Sequence, residues 1–147
     1  MARAFKNLTI PSSQIVIQPP DGTTLVNMDT LFSTQAEQYD QSLTLLGRNV
    51  TLRMTPTQFV WNTGDGGSFT TTTPGIPYEK GRPMSDYVSY KYLQPAKRLT
   101  PSVNVVWRAQ YSVEGRPWQP VNGTVTTTGP GVPLRVREAI PVLTSGD

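Results

Sequence analysis

The candidate acid–base side chains are the carboxylates Asp21, Asp29, Glu37, Asp40, Asp65, Glu79, Asp86, Glu114 and Glu138, nine of the ten in the chain. Paired carboxylates run glycoside hydrolysis. These mostly sit in turns or beside Pro and Gly, and no pair shares a strand face at short spacing. There are 0 Cys and 0 His. Disulfides, zinc fingers, cysteine nucleophiles and Ser-His-Asp triads are therefore excluded. No Ser-x-x-Lys occurs. The glycine-rich turns lack a following Lys-Ser/Thr and a following helix, so they are not phosphate loops. Asp65, in Gly64-Asp-Gly-Gly, is one carboxylate where calcium takes about 6–8 oxygens. The expectation is no catalytic residue, no metal ligand and no cofactor.

Charge excludes further classes. Thirteen Lys+Arg against ten Asp+Glu give a net +3 over 147 residues. A nucleic-acid binder concentrates its basic residues on one stripe. Here they are scattered, with Lys97-Arg98 the only adjacent pair. Arg135 and Arg137 lie two apart and read as the solvated face of a strand. Nucleic acid is not an expected partner. No stretch approaches the roughly 18 apolar residues of a membrane span. Met1 to Lys6 is basic, but Asn7-Leu-Thr-Ile-Pro follows in place of the apolar run of a signal peptide.

The elements that carry these residues read as strands. Twenty Thr, 14 Pro and 12 Gly beside a charged fraction of 16% favour short strands joined by turns. Residues 1–24 read as an extended arm, with a short strand at Gln14-Ile-Val-Ile-Gln before the turn signal Pro19-Pro-Asp-Gly-Thr. Residues 25–41 are ambiguous, and Gln35 to Tyr39 fits a single helical turn. Val50, Leu52 and Met54 alternate with Thr51 and Arg53 as a half-buried strand that Pro56 stops. Phe59-Val-Trp-Asn reads as a separate core strand, returning after the Gly64–Gly67 turn as Ser68 to Thr73. Pro74 to Pro83 is a loop, and Tyr87 to Tyr92 a strand. Val103 to Val113 is the strongest strand, with Val105, Trp107, Ala109, Tyr111 and Val113 on one face. Glu114-Gly-Arg-Pro is its hairpin turn, Thr124 to Thr128 lie on the partner side, and Leu134 to Glu138 alternate in a last strand. The expected fold is all-β, an antiparallel sandwich over residues 25–147 preceded by the arm.

The segment Phe59-Val-Trp-Asn-Thr-Gly-Asp-Gly resembles the signature of the polycystic-kidney-disease (PKD) domain, roughly aromatic-x-Trp-x-Phe-Gly-Asp-Gly. Trp61, Gly64, Asp65 and Gly66 match, and Thr63 stands where the family carries Phe. Val88-Ser-Tyr-Lys-Tyr keeps the tyrosines of a later family strand and lacks its His. Leu45 to Pro56, Thr73 to Tyr78, Trp118 to Thr126 and Leu134 to Leu143 are similar to small exported PKD-like proteins of actinobacteria. The resemblance implies an immunoglobulin-like sandwich, no enzymatic activity, and display for protein or glycan contact. In this reading Trp61, Gly64, Asp65 and Gly66 specify the fold.

Two functional settings follow. One is a structural virion component of a phage, such as a capsid decoration or a head or tail accessory protein. Its arm would dock on other capsid or tail subunits, or on a second copy, by strand addition and through Phe5, Ile10, Ile15 and Ile17. The other is an exported adhesion module at an actinobacterial envelope, binding protein or a host-surface glycan. In either, the Pro74–Pro83 loop with Tyr78, Lys80 and Arg82 is a contact candidate, because loops carry binding on such scaffolds. Tyr78, Tyr87, Tyr90 and Tyr92 are of a type enriched at binding surfaces, but the alternate pair Tyr90 and Tyr92 reads as cross-strand packing in the sheet.

Overall fold

The computed structural model describes residues 1–138. The resemblance over Ala139–Leu143 and the rest of the expected sandwich lie outside the described residues. The chain is all-β and sandwich-like, and among the described residues it has one short α-helix, α1 (Ala2–Asn7), and a single 3-10 turn at Met84–Asp86. No helix among the described residues is long and apolar enough to cross a membrane.

Twelve strands follow in chain order: β1 (Ile15–Gln18), β2 (Thr23–Leu25), β3 (Asp29–Thr34), β4 (Tyr39–Leu45), β5 (Arg48–Asn62) and β6 (Ser68–Thr71), then β7 (Val88–Lys91), β8 (Ala96–Leu99), β9 (Ser102–Val113), β10 (Gln119–Pro120), β11 (Val125–Thr128) and β12 (Leu134–Arg137). They form three sheets. One has the order β1-β3-β7, one the order β2-β12-β8, and the largest β10-β9-β5-β4, with β11 also on β9 and β6 also on β5. Among the described residues every pairing is antiparallel except β12 on β2, which is parallel.

The long strands β5 and β9 carry the core. Val103, Val105, Trp107 and Ala109 of β9 are buried, and on β5 Leu52, Met54, Phe59 and Trp61 meet them. The alternation expected for β9 holds to Ala109 and then slips, because Ser112 is buried while Tyr111 and Val113 are half-buried. Leu134 and Val136 point inward and Arg135 and Arg137 outward, as expected for β12.

Three elements differ from the sequence expectation. Pro56 does not end a strand, and β5 runs through it for 15 residues. Proline removes one ladder N–H, and a register shift between Pro56 and Gln58 absorbs the loss. Thr57 is the extra residue, and its hydroxyl donates to the Val106 carbonyl at 3.2 Å. The helical turn expected at Gln35–Tyr39 is absent. Tyr39 opens β4 instead, with its ring edge-on to Trp107 at 5.8 Å.

The N-terminal segment is not a free arm. Ala2–Asn7 is helical, in keeping with its Ala, Arg and Lys content. Phe5 is 0% exposed within the core cluster. β1 pairs with β3 over four residues, Ile15 opposite Thr34 through Gln18 opposite Leu31, and β2 pairs with β12. Burying Phe5 and Ile15 stabilises by about 1.5–3 kcal/mol each, and an arm held in solvent would forgo that.

Candidate functional site

Two places bring the singled-out residues together. The first is the turn between β5 and β6, residues 63–67. The Thr63 N–H donates to the Gly67 carbonyl at 3.1 Å and closes the turn. The Thr63 hydroxyl is within reach of both Asp65 Oδ1 and, at 2.8 Å, the Gly67 carbonyl. The Gly67 N–H donates to Asp65 Oδ1 at 3.2 Å, and the Tyr90 hydroxyl donates to Asp65 Oδ2 at 2.7 Å. Both carboxylate oxygens are thus engaged by the protein itself. Burial pushes the Asp65 carboxyl up, but the hydrogen bonds from Thr63, Tyr90 and Gly67 outweigh it and leave it below the ordinary carboxylate value. Among the described residues, no three His, Cys, Asp or Glu side chains gather to hold a metal ion.

Thr63 takes a polar part where the PKD signature has Phe. It is fully buried, and its carbonyl accepts from the Tyr92 hydroxyl at 2.7 Å. Burial raises the Tyr92 phenol well above its ordinary value, and the charges of Asp65 and Tyr90 add to this. The hydrogen bond to Asp65 raises Tyr90, with burial second. Gly64 (φ +87°) is required on two counts. Its backbone is left-handed, and a Cβ there would lie 3.1 Å from Leu99 Cβ and 3.2 Å from the Thr100 nitrogen. Trp61 is fully buried, with Nε1 donating to Thr71 Oγ1 at 2.9 Å. Trp61, Phe32, Phe69 and Tyr90 stack in sequence, and Tyr92 meets Tyr90 edge-on at 4.8 Å. This turn organises packing, with Asp65 accepting from Thr63, Gly67 and Tyr90.

The second place is a groove between β1 and the Pro74–Pro83 loop. Val16, Ile17 and Pro20 form one side, Leu31 and Ser33 the floor, and Ile76, Pro77 and Tyr78 the other side. Its volume is about 210 Å³, below the roughly 300–1,000 Å³ of enclosed small-molecule sites. It suits a side chain or a sugar ring laid on the surface. Val16 is 50% exposed and Tyr78 55%.

The loop side is held firmly. Tyr78 stacks on Tyr87 at 6.1 Å. The Tyr87 hydroxyl donates to the Glu79 carbonyl at 2.8 Å and accepts from the Glu79 N–H at 2.9 Å. The Thr34 N–H donates to the Pro74 carbonyl at 3.0 Å, drawing the loop onto β3. Gly75 (φ +70°) permits this approach, since a Cβ there would sit 2.5 Å from the Phe32 carbonyl oxygen. Loop order of this kind lowers the entropy cost of binding.

Of the expected contact residues, Ile17 and Tyr78 meet in the groove. Phe5 and Ile15 are core residues, and Ile10 is packed against the core and half-buried. Phe5 and Ile15 are not available for docking while the domain is folded. Lys80 is exposed. Arg82 is engaged locally, with Nε 2.7 Å from Glu79 and Nη1 3.6 Å from Asp86. Val16 and Pro77 were not singled out from the sequence. Val16 had a signal: in Ile15-Val-Ile both strand faces are apolar, so one apolar side chain must face outward.

Compared with known proteins, the chain matches no protein family, no curated protein and no solved structure.

Proposed function

We propose that this chain is a non-enzymatic interaction protein that holds a protein or glycan partner in the groove between β1 and the Pro74–Pro83 loop. One observation carries the reading. The loop is pinned at Pro74, Gly75 and Glu79, and it presents Tyr78 across a cleft from exposed Val16. Tyrosine is enriched at contact hot spots because it offers large area at low entropy cost. An apolar side chain left outside on an edge strand gains free energy when a partner covers it.

Of the two settings, the exported envelope module fits this groove better. The virion reading drew its docking device from a free arm, and Phe5 and Ile15 are packed inside the domain. The test is retention of the purified chain on isolated actinobacterial envelopes, alone and after protease or periodate treatment. The double variant Val16→Asp/Tyr78→Ala should bind at least about tenfold more weakly, the loss of two modest hot spots. Loss after protease assigns a protein partner, and loss after periodate a glycan. Equal retention of parent and variant overturns the groove, and no retention of the parent overturns the envelope setting.

A further inference from the structure

We propose that two copies of this chain pair through the outer edge of β4, about a two-fold axis at Ser42. β4 is the last strand of the largest sheet, and among the described residues no strand pairs with its other edge. It runs seven residues beside β5 with no register shift, from Tyr39 opposite Met54 to Leu45 opposite Arg48. Edge strands are commonly blunted by Lys, Pro, a bulge or brevity. β4 has none of these. Its one charged side chain, Asp40, is held by Arg53 at 3.0 and 3.2 Å, on the neighbouring strand.

The hairpin sets which backbone groups face out. Leu45 and Arg48 flank a two-residue turn, Leu46-Gly47, with φ of 51° and 77°. Residues flanking such a turn exchange both hydrogen bonds, and the pattern alternates along the ladder. Leu45, Leu43, Gln41 and Tyr39 therefore bond to β5. Thr44, Ser42 and Asp40 turn their N–H and C=O outward. Asn49 agrees with this phase, since its carbonyl accepts from the Glu114 N–H at 2.9 Å on the far side of β5.

The three outward residues centre on Ser42, so a second copy of the strand can meet them about a two-fold axis. An antiparallel second copy sets Ser42 against Ser42 and Asp40 against Thr44, so every outward donor finds an outward acceptor. The remaining cross-strand pairs are Tyr39 with Leu45 and Gln41 with Leu43. No like charges oppose each other, and the two-fold closes on itself without leaving a new edge to propagate. Side-chain packing favours the same pose. Tyr39 of the second copy lands beside Leu45, at the rim of a hollow of about 630 Å³ where Met1, Leu45, Leu46 and Val50 alternate with the charged Arg3 and Arg48.

The inference stands apart from the groove, which lies on a different sheet. The full chain is examined by sedimentation equilibrium up to about 1 mM, the weakest affinity worth assigning. A monomer–dimer equilibrium is expected, weakened at least tenfold by Ser42→Pro, because an edge strand tolerates proline away from its inner ladder. A second variant keeps the register testable if that one misfolds. In a chain with 0 Cys, Ser42→Cys should oxidise to a disulfide dimer at least tenfold faster than Thr44→Cys, whose thiols the two-fold keeps apart. A monomer at all concentrations overturns the proposal. So do equal cross-linking rates, or a dimer unaffected by Ser42→Pro.

Discussion

The Tyr90 hydroxyl donates to Asp65 Oδ2 at 2.7 Å across 25 residues of sequence, and this bond ties β7 to the turn between β5 and β6. It joins two sheets, because β7 belongs with β3 and the turn belongs with β5. A tight turn with a carboxylate at its centre thus acts as a clasp between two sheets.

Asp65→Ala should therefore destabilise the domain. It removes acceptors for the Thr63 hydroxyl, the Gly67 N–H and the Tyr90 hydroxyl. Hydrogen bonds to a charged group are worth about 1.5–3 kcal/mol when buried, and the exposure of this turn brings the expected loss down to about 1–2 kcal/mol. Urea unfolding measures it. A midpoint unchanged within error would show that the clasp does not hold the layers.

Stability should fall at both ends of the pH scale and stay flat between them. The Asp65 carboxyl is lowered in the folded state, so its contribution is present above the unfolded value near 4 and is lost as pH falls through the folded value. Tyr92 and Tyr90 are raised, so their contribution is full below the unfolded value near 10 and fades as pH rises through the folded value. With 0 His and 0 Cys, no side chain of ordinary pKa titrates in between. Thermal midpoints across pH would show this plateau. Tyr92→Phe should flatten the alkaline limb, and an unchanged limb would assign it elsewhere.

Gly64→Ala and Gly66→Ala separate crowding from backbone strain. Both glycines are left-handed, at φ +87° and +97°, but only Gly64 has neighbours in the way. Gly66→Ala should cost about 1–2 kcal/mol, the left-handed penalty alone. Gly64→Ala should cost more, because the backbone of Thr100 and Pro101 must also give way. Equal losses by calorimetry would mean that the β8–β9 connection yields freely.

Leu46→Asn should stabilise the folded monomer. Leu46 is fully exposed at φ 51°, where a turn of this type favours Asn before Gly. The expected gain is about 0.5–1 kcal/mol, read from unfolding at a concentration too low for association. A loss would show that Leu46 rests on the hollow beside it.

Strands with clean alternation were legible in the sequence. β9 and β12 fall where Val103–Val113 and Leu134–Glu138 predict them, because each buries one face against the core. The Gly64–Gly67 turn was legible too, since few residues other than glycine accept its geometry. β5 was not legible as one strand. Pro56 is a local stop signal, and the bulge that overrides it depends on Thr57 meeting Val106 on another strand. The helix at Ala2–Asn7 was hidden because six residues with one buried side chain show no periodicity. The groove was half legible: Ile17 and Tyr78 stood out as apolar and aromatic. Their meeting depends on the Pro74 and Gly75 contacts with β3, which sequence spacing does not encode.

The parallel pairing of β2 on β12 has a consequence for the timetable of synthesis. Thr24 faces Val136, so β2 emerges from the ribosome roughly a hundred residues before the strand that completes its sheet. At about 5–20 residues per second, that is a wait of roughly 5–20 seconds. In the finished domain the Thr24 hydroxyl lies 2.7 Å from that of Thr30, but until β12 emerges β2 has no strand beside it. The nascent chain carries an open edge for most of its own production, and β12, the last strand among the described residues, closes it.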